Sequence, residues 1–451
     1  MKIAVIGMGY VGLVSAVSWA RAGHKVIGVE SNEEKLSLLK AGKTPFFEPG
    51  LETELKLALE SQALHFSKEF LTMELMSIES LVTNSLSNKS AILGAVDLFF
   101  LCVGTPILPN GLFDLTDLFE AVDSLVVPEN SSLSIIIKST VLPGTTAQVE
   151  ARLKDGFEKL GKVFKGSVWF APEFLSEGTA MSDTINPSRV IIGGNSEVFK
   201  ESKLGQFILS VTPASTPIVI TDWASAELGK LASNAMLASR ISFINEIGQV
   251  ADTVGADINL VAKIIGLDPR IGSKFLKAGV GFGGGCFPKD TTALKNFGAM
   301  HGASTDLLTA VISTNEKAKL GFSERVIKRF GEPHGKTLGI LGMAYKEGTD
   351  DIRNSPSLKI IELFTQAGGK VVVYDPLIAR DKLERLGVEA KASWEEVAQM
   401  VDLITILTAD PQFVNLDWQK MRAIYSGTII GDGRRLYSKK ILTKLGLNLI
   451  T

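Results

Sequence analysis

A cysteine in a glycine-rich run is the residue of this chain best suited to covalent chemistry. Cys286 stands in the run Gly281-Phe282-Gly283-Gly284-Gly285-Cys286-Phe287-Pro288-Lys289-Asp290. Glycines and a proline favour a tight, exposed backbone, so the run predicts a presented thiol. Lys289 would favour the thiolate electrostatically, and Asp290 could move protons or orient a neighbour. The alternative is a core cysteine beside a glycine turn.

Two polar residues on a predicted long helix could also act together. No proline interrupts residues 222–254, which are rich in alanine, leucine, isoleucine, lysine and glutamate. The segment therefore predicts one helix, long enough to link domains or build a dimer. Lys230 and Asn234 would share a face of it. They could stabilise an oxyanion, or they could belong to an ordinary solvated face.

The composition of the chain limits the kinds of molecule that the protein is expected to bind. The 451 residues include 47 basic and 49 acidic side chains, for a net charge of -2, so neither nucleic acid nor a membrane surface is an expected partner. Two cysteines, Cys102 and Cys286, argue against a disulfide framework, and four scattered histidines argue against a metal site. Cys102 lies in an apolar run and is expected in the core. We expect a cytoplasmic globular protein that acts on small molecules.

A glycine motif near the start predicts a dinucleotide site. Gly7-Met8-Gly9-Tyr10-Val11-Gly12 follows a strand-like run at 2–6 and opens a helical stretch. Gly7 would permit the tight turn, Gly9 would let the pyrophosphate approach the backbone, and Gly12 would pack helix on strand. The regular spacing of these glycines also argues against a secretory signal or membrane anchor in this apolar segment.

An acidic residue selects the cofactor. Glu30 ends a predicted second strand at 25–30. A carboxylate there accepts hydrogen bonds from ribose hydroxyls and repels a 2′-phosphate, so NAD is expected and NADP is not.

Further apolar, β-branched runs predict an α/β fold with two Rossmann-like, doubly wound domains joined by a long central helix. The predicted strands lie at 98–104, 134–140, 168–173, 189–194, 336–342, 370–375, 403–408 and 428–431, with a helix at 355–367. Thr105, Thr140 and Glu173 stand at the ends of such runs, where ligands of open α/β sheets gather; the alternative for each is ordinary turn chemistry. The second domain lacks a complete GxGxxG, so we expect it to bind a different nucleotide or none.

The ordered motifs together resemble those of the UDP-glucose/GDP-mannose dehydrogenase family. Besides the dinucleotide and cysteine runs, they are Val103-Gly104-Thr105-Pro106, Lys138-Ser139-Thr140-Val141, Pro172-Glu173-Phe174-Leu175, residues 226–246, Arg270-Ile271-Gly272, Phe275-Leu276-Lys277, Thr349-Asp350-Asp351-Ile352-Arg353 and Asp432-Gly433-Arg434-Arg435. The resemblance implies an NAD-binding domain at 1–212, a central helical dimerisation region with the cysteine loop at 213–319, and a UDP-sugar-binding domain at 320–451.

The resemblance further implies a four-electron oxidation of UDP-glucose to UDP-glucuronate by NAD, through a thiohemiacetal and a thioester on Cys286. The implied catalytic residues are Cys286, Lys230, Asn234, Asp290, Glu173 and Thr140. The implied cofactor-binding residues are Gly7, Gly9, Tyr10, Val11, Gly12, Glu30, Lys35, Thr105, Thr140, Glu177 and Arg353. The implied substrate-binding residues are Glu173, Phe174, Leu175, Lys230, Asn234, Arg270, Phe275, Lys277, Gly283, Lys346 and Arg434. Arg270 is implied to reach the site of a neighbouring subunit in a homodimer or larger homo-oligomer.

Departures and alternatives accompany this interpretation. Gly285 stands where the family usually has serine, and is expected to loosen the loop; Glu30 stands where aspartate is commoner. The segment 66–95 is longer than expected and carries no chemical motif. Alternative substrates are GDP-mannose and UDP-N-acetylmannosamine. Alternative proteins are a two-electron hydroxyacid dehydrogenase, which needs no Cys286, and an NAD-sensing protein without catalysis.

Overall fold

Each half of the chain contains a sheet of mainly parallel strands. The computed structural model of the protein describes residues 1–68, 96–125 and 132–451. The described chain divides into two compact units, Met1–Ala232 and Ser233–Thr451, and each contains one sheet. The predicted division at 212 and 319 remains a prediction. Residues 69–95, most of the long segment singled out from the sequence, lie outside the described residues.

The sheet of the first unit has the order β3-β2-β1-β4-β5-β6-β7-β8. β7 is antiparallel to β6, and the other neighbours in the sheet are parallel. The reversal of order between β1 and β4 is a topological switch point, where open α/β sheets bind ligands. The strands are β1 (Lys2–Ile6), β2 (Lys25–Val29), β3 (Leu64–Ser67), β4 (Leu98–Leu101), β5 (Ser134–Ile137), β6 (Ser167–Phe170), β7 (Val190–Gly193) and β8 (Ile218–Thr221).

Helices cover this sheet because its central strands are apolar on both faces. Isoleucines of β5 illustrate the two sides: Ile136 packs in one core cluster, and Ile135 and Ile137 pack in the other. The helices are α1 (Tyr10–Arg21), α2 (Glu33–Lys40), α3 (Leu51–Glu60), α4 (Thr116–Ser124), α5 (Thr145–Lys159), α6 (Ala180–Ile185) and α7 (Lys203–Val211).

The sheet of the second unit is parallel throughout and has the order β11-β10-β9-β12-β13-β14. It repeats the strand order of the first six strands of the first sheet, which confirms two Rossmann-like domains. The strands are β9 (Thr337–Leu341), β10 (Lys370–Tyr374), β11 (Glu389–Ala390), β12 (Leu403–Ile406), β13 (Ile429–Asp432) and β14 (Asn448–Ile450).

The predicted long helix is α8 (Trp223–Val254), which begins in the first unit and ends in the second. The other helices are α9 (Ile258–Gly266), α10 (Phe287–Met300), α11 (Asp306–Phe330), α12 (Pro356–Gln366), α13 (Arg380–Glu384), α14 (Trp394–Ala398), α15 (Pro411–Val414), α16 (Trp418–Ile424) and α17 (Lys439–Lys444). None of the helices in the described ranges has the length and hydropathy of a bilayer-spanning segment.

The predicted strands were wrong at several carboxyl ends. β4 ends at Leu101, β5 at Ile137 and β12 at Ile406, each two or three residues before the predicted end. The residue after each strand still donates to the neighbouring strand, as Cys102 N–H does to Ile6 O at 2.7 Å, and beyond it side chains join the loops, as Ser139 Oγ donates to Val103 O at 2.7 Å. The polar ends of these runs therefore lie in loops at the ligand-binding edge.

Candidate active site

The dinucleotide motif forms the predicted strand-turn-helix. Gly7 has φ of +93° and donates its N–H to Val29 O at 2.9 Å. A Cβ on Gly12 would lie 1.9 Å from Gly7 O, so the helix start packs directly on the turn. Gly9 caps α1, and a Cβ there would meet no described atom within 4 Å. Space beside the helix N-terminus suits a pyrophosphate, and Gly9 keeps that space open.

Two alanine substitutions should separate folding from cofactor binding. Gly12→Ala should destabilise the first unit strongly, because the methyl group overlaps backbone that cannot move away. Gly9→Ala should fold like the wild type and lose roughly tenfold or more in NAD affinity. Thermal unfolding and NAD titration by calorimetry measure the two effects. Equal NAD affinity in Gly9→Ala would contradict the assignment.

Glu30 is held in place at the end of β2. Its Oε2 accepts Met8 N–H at 3.2 Å and pairs with Lys35 Nζ at 2.7 Å, and its Oε1 accepts Asn32 N–H at 3.0 Å. Since a carboxylate oxygen can accept two hydrogen bonds, Oε1 retains capacity for a ribose hydroxyl. The chain's own donors thus orient Glu30 for the role predicted from the sequence.

A buried glutamate that sequence reasoning missed lies beside the motif. Glu48 accepts the hydroxyl of Tyr10, Gly178 N–H at 2.6 Å and Met181 N–H at 3.3 Å. Burial, followed by the hydrogen bond to Glu48, raises the pKa of Tyr10. Glu48 thereby connects Tyr10, the first residue of α1, to the loop that contains Glu177. The next residue of the motif, Val11, is half-buried and packs on the core. Its partners are distant in sequence, so no local signal marks it.

The first unit places Lys230 against Glu173. Lys230 Nζ donates to Glu173 Oε1 at 2.9 Å and to Glu173 O at 2.6 Å, and both side chains are buried. Leu175 N–H donates to Glu173 Oε2 at 2.7 Å. Burial opposes ionisation of Glu173, but Lys230, assisted by Lys138, outweighs it and lowers the pKa of Glu173. The lysine therefore does not belong to a solvated face.

Neighbouring strand ends add polar groups. Thr105 Oγ1 donates to Thr140 O at 2.8 Å, so two of the predicted residues meet. Lys138 follows β5 and Cys102 follows β4, and the register of the two strands places these residues side by side. Burial lowers the pKa of Lys138 and raises the pKa of the Cys102 thiol to about 12. Cys102 is thus the core residue expected.

The ring of Phe174 lies close to two cations. The Arg189 guanidinium stands 3.7 Å from its centroid and Lys230 Nζ stands 5.1 Å from it. Arg189, which the sequence did not single out, fixes the orientation of this predicted substrate contact.

In the second unit, Cys286 is exposed and caps the N-terminus of α10. Asp290 N–H donates to Cys286 O at 2.8 Å, which closes the first turn of the helix behind the thiol. The partial positive charge of a helix N-terminus stabilises a thiolate. The core alternative for Cys286 is therefore wrong.

Asn234 joins Asp290 in a buried cluster of the second unit. Asn234 Nδ2 donates to Asp290 Oδ2 at 2.6 Å, and Lys289 Nζ pairs with Asp290 Oδ1 at 2.8 Å. The Lys289 ammonium, predicted to act on the thiolate, thus pairs with this carboxylate. Asp290 is almost fully buried, so two donors hold a charged group one helical turn from the cysteine.

Surrounding segments hold the glycine run. Asn315 accepts Phe282 N–H at 2.7 Å and donates to Phe282 O at 3.1 Å, and Asn354 Nδ2 donates to Gly284 O at 3.0 Å. A Cβ on Gly283 would lie 2.4 Å from Asn354 O. These contacts fix the loop that presents the thiol, and Asn315, on α11, was not predicted.

Gly285 makes room for Arg353. A Cβ at position 285 would lie 2.8 Å from Arg353 Cζ, and the same guanidinium pairs with Asp351, with Nη2 to Oδ2 at 2.7 Å. The predicted cofactor residue Arg353 therefore lies against the backbone directly before Cys286. Glycine at 285 permits this packing, which serine would crowd.

The predicted substrate loop is anchored by Arg240, another residue that sequence reasoning missed. Its guanidinium donates to three backbone carbonyls at 2.7–2.9 Å, those of Ile271, Gly272 and Lys274. Phe275 within this loop has φ of +62°, and Phe275 and Lys277 are exposed. Arg270 is also exposed and pairs with Asp268 at 2.6 Å.

Arg434 crosses the carboxyl edge of the second sheet. Its Nε donates to Leu407 O at 2.6 Å and its Nη2 to Tyr345 O at 2.7 Å, and burial lowers its pKa. Much of the side chain thus braces the strand ends. Lys346, half-buried, places Nζ 5.9 Å from the Tyr345 ring.

The turn after β9 in the second sheet resembles the turn after β1 in the first, but the acidic residue beside it is bonded differently. Gly342 N–H donates to Tyr374 O at 2.8 Å, as Gly7 does to Val29. Asp375, the counterpart of Glu30, accepts four backbone N–H groups at 2.7–3.2 Å. Its oxygens are saturated, so this carboxylate has no capacity left for a ribose, which supports the expectation of a different ligand.

Comparison with known proteins assigns these features to a family. Residues 1–206, 224–317 and 339–439 match, in order, the NAD binding domain, the central domain and the UDP binding domain of the UDP-glucose/GDP-mannose dehydrogenase family. The chain belongs to this family. It is 37% identical to the UDP-glucose 6-dehydrogenase TuaD of Bacillus subtilis strain 168, over 99% of this chain and 91% of TuaD.

Solved structures of the family agree with the fold. A UDP-glucose dehydrogenase of Pyrobaculum islandicum matches with a TM-score of 0.83 and 35% identity, over 97% of this chain and 95% of that one. A UDP-D-ManNAc dehydrogenase of Pyrococcus horikoshii matches with a TM-score of 0.81 and 26% identity, over 97% and 96%. NAD is the cofactor of the family, and the turn around Gly9 and the carboxylate of Glu30 fit it.

Proposed function

We propose that this protein is an NAD-dependent UDP-glucose 6-dehydrogenase that oxidises the C6 alcohol of UDP-glucose to the carboxylate of UDP-glucuronate. The observation that carries the proposal is the exposed thiol of Cys286 on a helix N-terminus, in a chain that also holds a dinucleotide turn. A dehydrogenase that stopped at the aldehyde would not need this nucleophile.

The chain's own residues supply positioning, charge and a nucleophile. NAD, when bound, provides the two-electron oxidant for each of two oxidations. Glu173 and Asp290, both buried and held by cationic or amide donors, take and return protons through water, with Thr140 helping to place that water. Lys230 and Asn234 stabilise the oxyanions that develop at C6.

Cys286 carries the covalent part of the reaction. Its sulfur adds to the C6 aldehyde to give a thiohemiacetal, and loss of a hydride and a proton from that adduct gives a thioester. Attack of water on the thioester releases the carboxylate and regenerates the thiol. Both cysteines of the chain are thiols, which suits a reducing cytoplasm.

The substrate is inferred from the similar proteins. The relatives at 37% and 35% identity are named for UDP-glucose, whereas the one at 26% is named for UDP-D-ManNAc. A panel of UDP-glucose, UDP-N-acetylmannosamine and GDP-mannose, each with NAD, tests the inference through kcat/KM. We expect UDP-glucose to exceed the others by at least about a hundredfold; a faster rate with either competitor would overturn the assignment.

The assembly is proposed to be a homodimer or larger homo-oligomer built on α8. Met236, Phe243 and Val250 recur every seven residues and are each more than half exposed, so they form an apolar stripe that a second copy could cover. Arg270, exposed in its own chain, is proposed to reach the neighbour's substrate.

A charge on this stripe should therefore break the assembly. Phe243→Glu is expected to give monomers by light scattering and to lower kcat/KM, because Arg270 would lose its target. Val163→Glu places the same charge on another strongly exposed apolar residue and should leave both properties unchanged. An unchanged assembly in Phe243→Glu would contradict the stripe as the contact.

A further inference from the structure

Glu48 is a buried carboxylate that the proposed reaction does not use. The residue is 4% exposed, and it accepts hydrogen bonds from the Tyr10 hydroxyl, from Gly178 N–H at 2.6 Å and from Met181 N–H at 3.3 Å. Burial of a carboxylate is costly unless donors surround it, and these donors come from segments 38 and 130 or more residues away in the sequence. Glu48 therefore joins segments that only folding brings together.

Tyr10 is fixed through both its ring and its hydroxyl. The ring stacks on Phe46, with centroids 4.4 Å apart and an angle of 27° between the planes. The hydroxyl donates to Glu48 and accepts Gly178 N–H at 3.0 Å. Tyr10 directly follows Gly9, beside which the space for a pyrophosphate lies. These contacts therefore hold the first turn of α1, where the cofactor is expected.

Glu177, a cofactor contact implied by the resemblance, lies in the turn that Glu48 holds. Thr179 N–H donates to Ser176 O at 3.0 Å, which closes a four-residue turn. Gly178 occupies the third position of this turn with φ of +85°, and Glu177 occupies the second. Gly178 N–H belongs to the same planar peptide group as the carbonyl of Glu177. A hydrogen bond at that N–H therefore fixes the orientation of the peptide that follows Glu177.

One network thus connects two parts of the expected cofactor site, both in the first unit. The start of α1 offers backbone N–H groups to a pyrophosphate, and the turn carries Glu177. The bonds of Glu48 and Tyr10 to Gly178 join these two parts. A loop that is ordered before its ligand arrives does not have to be ordered during binding, so the ligand is bound more tightly.

We propose that Glu48 is a positioning residue for NAD binding, which holds the turn of Glu177 against the start of α1 and does not itself touch the cofactor. The buried carboxylate orders the turn in advance, and this order raises the affinity for NAD. The inference rests on the proposed function in one respect, since it takes Glu177 as a cofactor contact of a dehydrogenase. It does not depend on which sugar nucleotide is oxidised.

Two substitutions of Glu48 separate its hydrogen bonds from its volume. Glu48→Leu removes every acceptor and keeps a side chain of similar size. Glu48→Gln keeps an oxygen that can accept from both Tyr10 and Gly178, and gives up only the longest bond, to Met181. A positioning role predicts that glutamine rescues what leucine loses.

The matched control is Glu54→Leu. It makes the same change in the same unit, on a residue that pairs with Arg21 at 2.9 Å, at the other end of α1. The affinities for NAD and for UDP are measured by calorimetry at neutral pH, and folding by the thermal unfolding midpoint. UDP serves as a second ligand because the UDP binding domain of the family matches residues 339–439, in the other unit.

We expect Glu48→Leu to bind NAD on the order of tenfold or more weakly than the wild type and to bind UDP as the wild type does. Glu48→Gln should keep its NAD affinity within about threefold of the wild type, and Glu54→Leu should change neither affinity. NAD affinity within about twofold of the wild type in Glu48→Leu would overturn the inference. Equal losses of NAD and UDP affinity would overturn it too, because they would indicate general damage to the fold.

Tyr10→Phe is the second variant if Glu48→Leu does not fold. It keeps the stacked ring, removes the hydroxyl, and should weaken NAD binding about three- to tenfold with UDP binding unchanged. Unchanged NAD affinity in this variant would overturn the inference. A wild type that binds NAD and fails to oxidise UDP-glucose would contradict only the proposed function, and the same NAD titrations would still decide the role of Glu48.

Discussion

Replacing Cys286 by serine is expected to lower the rate of UDP-glucuronate formation by on the order of a thousandfold or more, without unfolding the protein. Serine is a good N-cap residue, so α10 should still begin at Phe287. Its hydroxyl is a far weaker nucleophile at neutral pH, so the reaction should stall after the first oxidation. Product analysis by mass spectrometry, with circular dichroism as the folding check, measures both parts.

The second cysteine provides the matched control. Cys102 is buried, and burial raises its thiol pKa to about 12, so it should be inert. Cys102→Ala should keep the full reaction at some cost in stability, and iodoacetamide should modify one thiol in the native protein. UDP-glucuronate formed at an undiminished rate by Cys286→Ser would contradict the covalent mechanism.

Lys230→Met should have the second large effect, on stability as well as activity. The change removes the ion-pair partner of buried Glu173 and leaves its carboxylate with Leu175 N–H and the charge of Lys138 alone, at a cost of about 3–5 kcal/mol in the free energy of unfolding. Loss of the oxyanion donor should also reduce kcat by on the order of a hundredfold. Urea unfolding at pH 7 and steady-state kinetics measure the two losses.

The destabilisation should depend on pH in a defined direction. In the wild type the pKa of Glu173 lies below its ordinary value, so the pair stabilises the fold near neutrality and this contribution is lost as the pH falls through the folded-state pKa. Without Lys230, burial dominates and the carboxyl protonates at a higher pH, so the difference between variant and wild type should shrink in acid. Adding Glu173→Gln to Lys230→Met should recover part of the stability. A difference that grows in acid would contradict the ion-pair account.

Central strands and the dinucleotide turn could be predicted from the sequence because their signals are local. The strands missed by the prediction, β3, β8, β11 and β14, are the edges of the two sheets. β3 alternates apolar and polar residues, and β11 and β14 have only two and three residues, so all three give weak local signals. β8 does carry an apolar, β-branched run, Ile218-Val219-Ile220, which the prediction missed. Gly7, Gly9 and Gly12, by contrast, carry their spacing within six residues.

The candidate site residues also divide into those that have a local signal in the sequence and those that have none. Cys286, Lys230 and Glu173 could be selected because each stands in a short motif or at a strand end. Glu48 and Arg240 could not, because they act through backbone groups about 30 to 130 residues away, and only folding brings those groups together. Their chemistry is ordinary hydrogen bonding, which leaves no mark in the local sequence.

The amount of NADH formed per UDP-glucose consumed, with the sugar nucleotide limiting and NAD in excess, tests the central claim most directly. The proposed four-electron oxidation predicts two NADH per sugar and UDP-glucuronate as the product. One NADH per sugar, with a rate that does not depend on Cys286, would contradict the account and indicate a two-electron dehydrogenase.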